Sequence, residues 1–137
     1  MALVNFSSEH NIVTVTGRQI TDWGEGDPIT EEPIDPKTVL RRGQGGNAVR
    51  LDRINPGRRV TLNLNPGSPD SAYMQGLLNS RVNISYTRHV TDTMEIVTAS
   101  EGAIVNDGPL QRGGMTISDD QYVMEFNVWE ASKGGSY

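Results

Sequence analysis

The most regular stretch of the chain runs from Arg59 to Asn65, where Val60, Leu62 and Leu64 alternate with Thr61, Asn63 and Asn65. A period of two is what a half-buried β-strand requires, because successive side chains point to opposite faces. Val82, Ile84 and Tyr86 alternate with Asn83, Ser85 and Thr87 in the same way, and Tyr122, Met124, Phe126 and Val128 alternate with Val123, Glu125 and Asn127. Further strands are expected at residues 11–16, 38–42, 47–53 and 92–98, with a short one at 102–105. One helix is expected, over residues 68–79. Ser68 is suited to cap it, Pro69 to occupy its first position and Asp70 to sit in its first turn. Ala72, Tyr73, Met74, Leu77 and Leu78 give it an apolar stripe, and Asn79 a stop. A helix this short does not persist alone in water, so it must pack on a sheet, through Tyr73, Leu77 and Leu78. The pattern is that of an all-β fold with one short helix.

Glycine and proline mark the connections. Residues 22–36 form the longest expected loop, acidic and restricted by Pro28, Pro33 and Pro36. Turns are expected at Gly43–Gly46, around Asn106-Asp107-Gly108-Pro109 and at Arg112-Gly113-Gly114, and the end of the chain, 132–137, is expected to be flexible. With 137 residues, no internal repeat and no linker, the chain reads as a single domain over 1–137.

Composition adds a constraint on stability. Hydrophobic residues make up 35% of the chain, against roughly 45–50% in globular proteins on a count that includes Gly. A lone monomer with so little apolar content is marginal, which points to stabilisation by assembly. There is no Cys, which removes disulfides and thiolate metal sites. No apolar run reaches the length of a membrane span, and the Met1-Ala2-Leu3-Val4-Asn5 start lacks a basic leader region. The expectation is a protein made and used in a cytoplasm without processing.

The net charge is −5, and all bases but Lys37 and Lys133 are Arg, the residue favoured for bidentate pairing and at interfaces. Charge is segregated. Asp22, Glu25, Asp27, Glu31, Glu32 and Asp35 follow one another without a base, whereas Arg41, Arg42, Arg50, Arg53, Arg58 and Arg59 face only Asp52. From His89 onward acids again dominate. Such blocks can be solvated faces, or can meet between copies of one chain in head-to-tail contacts.

The chemistry of catalysis is missing. His10 and His89 have no second His, no carboxylate at ligand spacing and no nucleophile motif beside them. The Gly43 cluster lacks the Lys of a phosphate loop. The neighbouring acids Glu31-Glu32 and Asp119-Asp120 fall on opposite faces of a strand, so neither pair makes a two-carboxylate site. The reading is not an enzyme, with no cofactor, no metal and no catalytic residue. The Arg41–Arg59 block lacks the interleaved aromatics of a nucleic-acid surface, so acids are its better partners.

The order of elements resembles a known family. A strand, an acidic Gly/Pro loop, the Lys37-Thr38-Val39 strand, a Gly-rich turn and another strand come first. The strand Gly57-Arg58-Arg59-Val60-Thr61-Leu62-Asn63-Leu64 then runs into the helix start Ser68-Pro69-Asp70 and on to Leu77-Leu78-Asn79. Over residues 10–80 this resembles the tail tube proteins of contractile-tailed bacteriophages, although Asp70 stands one position before the Asn common there. The resemblance implies a β-sandwich or partly closed barrel of two antiparallel sheets with one flanking helix. It implies hexameric rings stacked into a hollow tube that conducts DNA in the tail of a virion made in a bacterial host. It also implies tail sheath, baseplate, tail terminator and tape-measure partners.

Within that resemblance, the short polar face of Thr61, Asn63, Asn83, Ser85, Thr87, Thr91, Thr93 and Thr98 suits a wet bore. Asp92, Glu95, Glu101 and Asp107 are expected to line it and to repel phosphate. The acidic loop (Asp22, Glu25, Glu31, Glu32, Asp35) is expected to meet Arg41, Arg42, Arg50, Arg53, Arg58 and Arg59 of a neighbouring copy, with Trp23 and Trp129 as anchors. The alternatives are a tail-completion protein, the tube of a phage-tail-like injection machine, or a monomeric β-sandwich binding module. The low aromatic content speaks against the last.

Overall fold

A computed structural model describes residues 11–134. Nine strands and one helix follow in the order β1 (Asn11–Val15), β2 (Arg18–Ile20), β3 (Ile29–Pro33), β4 (Thr38–Arg42), β5 (Ala48–Asp52), β6 (Arg58–Leu64), α1 (Pro69–Ser80), β7 (Ile84–Val90), β8 (Glu95–Asp107) and β9 (Asp120–Ser132). They form two antiparallel sheets, a seven-stranded one ordered β2-β1-β7-β8-β9-β6-β3 and the hairpin β4-β5. The larger sheet is not closed into a barrel. It curls around one core of Val13, Val15, Val60, Leu62, Leu64, Tyr86, Met124 and Phe126, all nearly inaccessible to water.

Alternation predicts this core where strands are regular. Val60, Leu62 and Leu64 all point inward, as do Tyr122, Met124 and Phe126. The next inward residue of β9 is Trp129, which packs against the core where strict alternation expects Val128. The cause is a bulge: β8 sets three steps, Ala99 to Gly102, against two of β7, Tyr86 to Ile84. Glu101 takes a left-handed φ of 53° there, and a bulge of this kind moves the inward side from one parity to the other. Ala99 therefore pairs with Trp129 and Gly102 with Phe126. Any Cβ on Gly102 would collide with the Phe126 ring, which is why this position is glycine.

Two expectations are corrected. Residues 22–36 are not loop throughout, because Ile29–Pro33 pairs with β6 as an edge strand. Pro33 ends that strand, where a missing donor is tolerated. The segments expected separately at 92–98 and 102–105 are one bulged strand, β8. β9 holds through Ser132, paired with Ile96, where the expected flexible end begins. Its last residues, 135–137, and His10 lie outside the described residues. No helix of the described residues is long and apolar enough to cross a membrane.

Helix α1 covers one end of the curled sheet. Ser68 caps it by accepting from the Ser71 amide at 3.1 Å, and Arg81 ends it in the left-handed region. Met74 is fully buried, and Tyr73, Leu77 and Leu78 pack against the core. Asp70, in the first turn, accepts from the Thr21 and Asp22 amides at 2.9 and 3.0 Å and from Arg18 at 3.0 Å. It thereby holds the chain leaving β2 as it crosses to β6, where Trp23 bridges Leu64. Burial pushes the Asp70 carboxyl upward, but the two amides and Arg18 outweigh it and hold the group below its ordinary value. A carboxyl with a depressed folded pKa contributes stability above its unfolded value of 3.8 and loses it as pH falls through the folded value. Asp70→Asn should therefore be less stable than the parent at neutral pH, and its stability should depend less on pH below about 4. Denaturant titrations across that window measure both effects.

Candidate functional site

The hairpin β4-β5 is the feature the fold does not account for. Every residue of both strands is exposed. Its register pairs Val39 with Leu51 and Arg41 with Val49, so these four share one face. Thr38, Asp52, Leu40, Arg50, Arg42 and Ala48 share the other. The second face carries the exposed Leu40 beside polar groups that bond one another, with Asp52 accepting from the Thr38 hydroxyl at 2.8 Å and from Arg50 at 2.9 Å. Arg50, then Thr38, hold the Asp52 carboxyl below its usual value. The first face is apolar and bare: Val39, Val49 and Leu51 are 44%, 58% and 52% exposed. An isolated two-stranded hairpin is marginal at best in water, and three or more strands or a packing partner are needed to hold one.

The root of the hairpin is firmly tied. Ile34 and Asp35 donate to the Gly57 and Pro56 carbonyls, and Arg53 donates to that of Lys37. Gly57 adopts a φ of 80° and lies against Ile34. Beside the root is a cleft of about 510 Å³ whose lining includes Asp35, Lys37, Arg53, Arg58, Trp129 and Glu130. The Arg58 guanidinium lies over the Trp129 ring at 5.4 Å, and that ring stacks on Tyr86 at 5.8 Å.

The strand leading into the root, β3, is an edge strand held from inside the molecule. Glu31 faces inward opposite Val60 and takes a bidentate pair from Arg88 at 2.8 Å on each oxygen. It also accepts from the Tyr86 hydroxyl at 2.6 Å. A second carboxylate, Glu95, meets the same guanidinium at 2.8 Å. All three charged side chains are largely shielded, at 14% exposure for Arg88, 13% for Glu31 and 19% for Glu95. Burial opposes the Arg88 charge, yet Glu31 and then Glu95 more than offset it and raise Arg88 above its usual value. Burial first, and the Glu31 charge second, push the Tyr86 phenol well up.

The expected contact residues therefore fall into two groups. Glu31, Glu32 and Arg59 are engaged within one subunit. Glu31 is held by Arg88, and Arg59 bonds Glu125 at 3.0 Å and Glu32 at 3.3 Å. The physical reason is that β3 and β6 are paired neighbours, which puts Glu32 directly opposite Arg59. Arg41, Arg42 and Arg53 are exposed, and no ion pair among the described residues engages them. Glu25 is exposed, and Asp22 and Asp35 are half-buried. Trp23 and Trp129 both pack against the core.

Of the acids expected in a bore, Glu95 is the partner of Arg88. Asp92 is half-buried in the turn after β7, while Glu101 and Asp107 are exposed on β8. Asn127 donates to Glu101 at 3.0 Å. The Glu31–Arg88 pair was not legible as such, because the acid-rich, proline-rich segment around Glu31 hides a strand. The signal available was the spacing Ile29, Glu31, Pro33, which matches the inward parity of β6.

No protein-family model matches the chain, and no curated protein matches it. Solved structures do. The tube-terminating cap of the anti-feeding prophage is similar at 13% identity and a TM-score of 0.61, over 97% of this chain and 94% of that one. The sheath/tube terminator of an extracellular contractile injection system, PVC, in its extended state, is similar at 12% identity and a TM-score of 0.62, over 96% and 99%. A chain of the native gene transfer agent virion is similar at 11% identity and a TM-score of 0.60, over 93% and 97%. At these identities the likeness is one of fold.

The Arg88 cluster makes a stability prediction. Arg88→Met leaves Glu31 and Glu95 shielded from water without their shared cation. Breaking a buried pair from one side costs about 3–5 kcal/mol. The double variant Arg88→Met/Glu31→Gln should recover part of that loss, as read from denaturant midpoints. Over most of its length the chain shares its fold with chains of that tube-terminating cap, of that sheath/tube terminator and of the PVC sheath-tube complex.

Proposed function

We propose that this chain is a structural subunit of a contractile tail or tail-like particle, whose copies form rings that stack into a hollow tube. The observation that carries the reading is the hairpin β4-β5. Both its faces are exposed on a fold that otherwise buries a continuous core, and its apolar face needs a partner to be stable in water. The fold likeness to tube and terminator chains supports the same reading. On it, the rings are hexameric and the tube conducts DNA within a virion. The tail sheath, baseplate, terminator and tape-measure protein are the partners. No enzymatic role is proposed.

A second reading, a terminator ring that closes such a tube, is favoured by one observation. The likeness to chains of the tube-terminating cap and of the terminator, with TM-scores of 0.61 and 0.62, slightly exceeds that to a sheath-tube complex chain at 0.60. Electron microscopy of the purified chain separates the two. Long hollow cylinders are expected for the tube, and isolated rings would indicate the terminator. Replacing residues 38–52 by a short Gly turn should leave a folded monomer that forms neither. A truncated chain that still assembles would remove the hairpin from the contact.

In the tube reading, the acids left exposed on β8, Glu101 and Asp107, face the bore, where few bases and some acids let a polyanion slide without counterion-release binding. Glu101→Lys/Asp107→Lys should slow DNA passage while tubes still form. Ejection at the parent rate in a virion carrying that pair would move both acids off the bore.

A further inference from the structure

The two ends of the subunit are chemically unlike, and the difference has a direction. At the Arg58 end of β6 the chain leaves for the hairpin, and residues 37–53 carry Lys37, Arg41, Arg42, Arg50 and Arg53 against Asp52 alone. The rest of the chain is correspondingly more acidic than the net charge of −5. At the Leu64 end, one β6 length of about 20 Å away, two loops lie together. Asp119 accepts from the Glu25 and Gly26 amides at 3.1 and 2.9 Å, and the Asp27 carbonyl accepts from the Asn63 side chain at 2.6 Å. This folds the segment carrying Glu25 and Asp27 onto the start of β9. The loop between β8 and β9 begins and ends at the same place. It is pinned by Arg112 on Asp120 and by Gln111 on Ser118, and it exposes Leu110, Met115 and Ile117 at 55%, 105% and 53%.

Resting on the self-assembly reading above, we infer that the apolar face of the hairpin docks on this far end of a second copy. Val39, Val49 and Leu51 meet Leu110, Met115 and Ile117, and Arg41, on the same face of the hairpin, meets Glu25 and Asp27. Each patch lacks what the other offers. The hairpin face has bare apolar side chains beside one unpaired cation, Arg41, and the loops have bare apolar side chains flanked by acids. Because the patches lie at opposite ends of one subunit, the contact is heterologous and does not close on itself between two copies. It propagates along an axis. Exposed ion pairs supply only about 0–1 kcal/mol each, so the apolar contact carries the affinity and the charges set the direction.

The absence of cysteine makes a clean cross-linking test possible. Copies carrying Val49→Cys are mixed with copies carrying Leu110→Cys, Met115→Cys or Ile117→Cys, allowed to assemble and treated with a short bismaleimide. A linked heterodimer is expected in the assembled fraction with at least one of the three, and not between copies that both carry Thr87→Cys, on the outer face of β7. In parallel, Arg41→Glu should cut the assembled fraction severalfold, and adding Glu25→Arg/Asp27→Arg to the same chain should restore it. Tubes that form with no link from Val49→Cys to any loop position, and a charge reversal that does not rescue, would overturn this docking while leaving self-assembly standing. A parent chain that stays monomeric at every salt and concentration would overturn both.

Discussion

One guanidinium determines how the rest of the molecule is arranged. Arg88, on β7, the third strand of the seven-stranded sheet, reaches across the interior to Glu31 on the edge strand β3, with β8, β9 and β6 intervening in the sheet order. A strand at an edge has a neighbour on one side only, and β3 is short, acidic and ended by proline. Backbone pairing with β6 alone gives little to resist fraying. The bidentate pair, the Tyr86 hydroxyl and the second carboxylate of Glu95 make the curled sheet one body at that end. Charges this shielded do not add much net stability relative to apolar packing. What they add is geometry: they fix one curl of the sheet and one exit direction for the chain after Pro33.

That exit direction is where structure meets the proposed role. The hairpin is the least self-sufficient part of the subunit, yet it springs from the best-anchored edge. Its root is stitched by Ile34, Asp35 and Arg53 backbone bonds, and beneath it Arg58, Trp129 and Tyr86 form a stacked column down to the Glu31–Arg88 pair. A projecting element that must find a partner gains from such a base. Holding it in one orientation lowers the ordering entropy lost on docking. The opposite end is organised by the same means, with buried or amide-bonded carboxylates. Asp70 fixes the chain that follows β2, Asp119 fixes the segment carrying Glu25, and Asp120 is held by Arg112 and by the Ser71 hydroxyl.

Much of this was legible from the sequence, and the failures have physical causes. Regular alternation located β6, β7 and the first half of β9, and the Ser68-Pro69-Asp70 signal located α1. Alternation failed at Trp129 because the bulge at Glu101 changes parity, and no local propensity announces a left-handed Glu. It failed at β3 because proline and acids normally mark loops. Glu31 is inward only by virtue of Arg88, some 57 residues away. The charge blocks were legible as composition, but not as partners. Glu32 and Arg59 meet within one subunit, whereas Arg41, Arg42 and Arg53 remain available. A one-dimensional count cannot tell a pair that folding satisfies from one left for assembly.

The low apolar content then takes on a specific meaning. A core of this size is complete for the curled sheet and α1, so the deficit is not spread through the molecule. Exposed large apolar side chains gather in the hairpin (Val39, Leu40, Val49, Leu51) and in the β8–β9 loop (Leu110, Met115, Ile117), at opposite ends, with others such as Ile54 and Met94 outside both. Were the deficit general, added hydrophobic residues anywhere in the core would stabilise the monomer and weaken its need for partners. Because it is local, core packing and assembly are separable: a subunit can be folded in isolation and still leave apolar surface that only another molecule can cover. That separation also fits a fold conserved at 11–13% identity. The alternation that builds the sheet tolerates wide substitution.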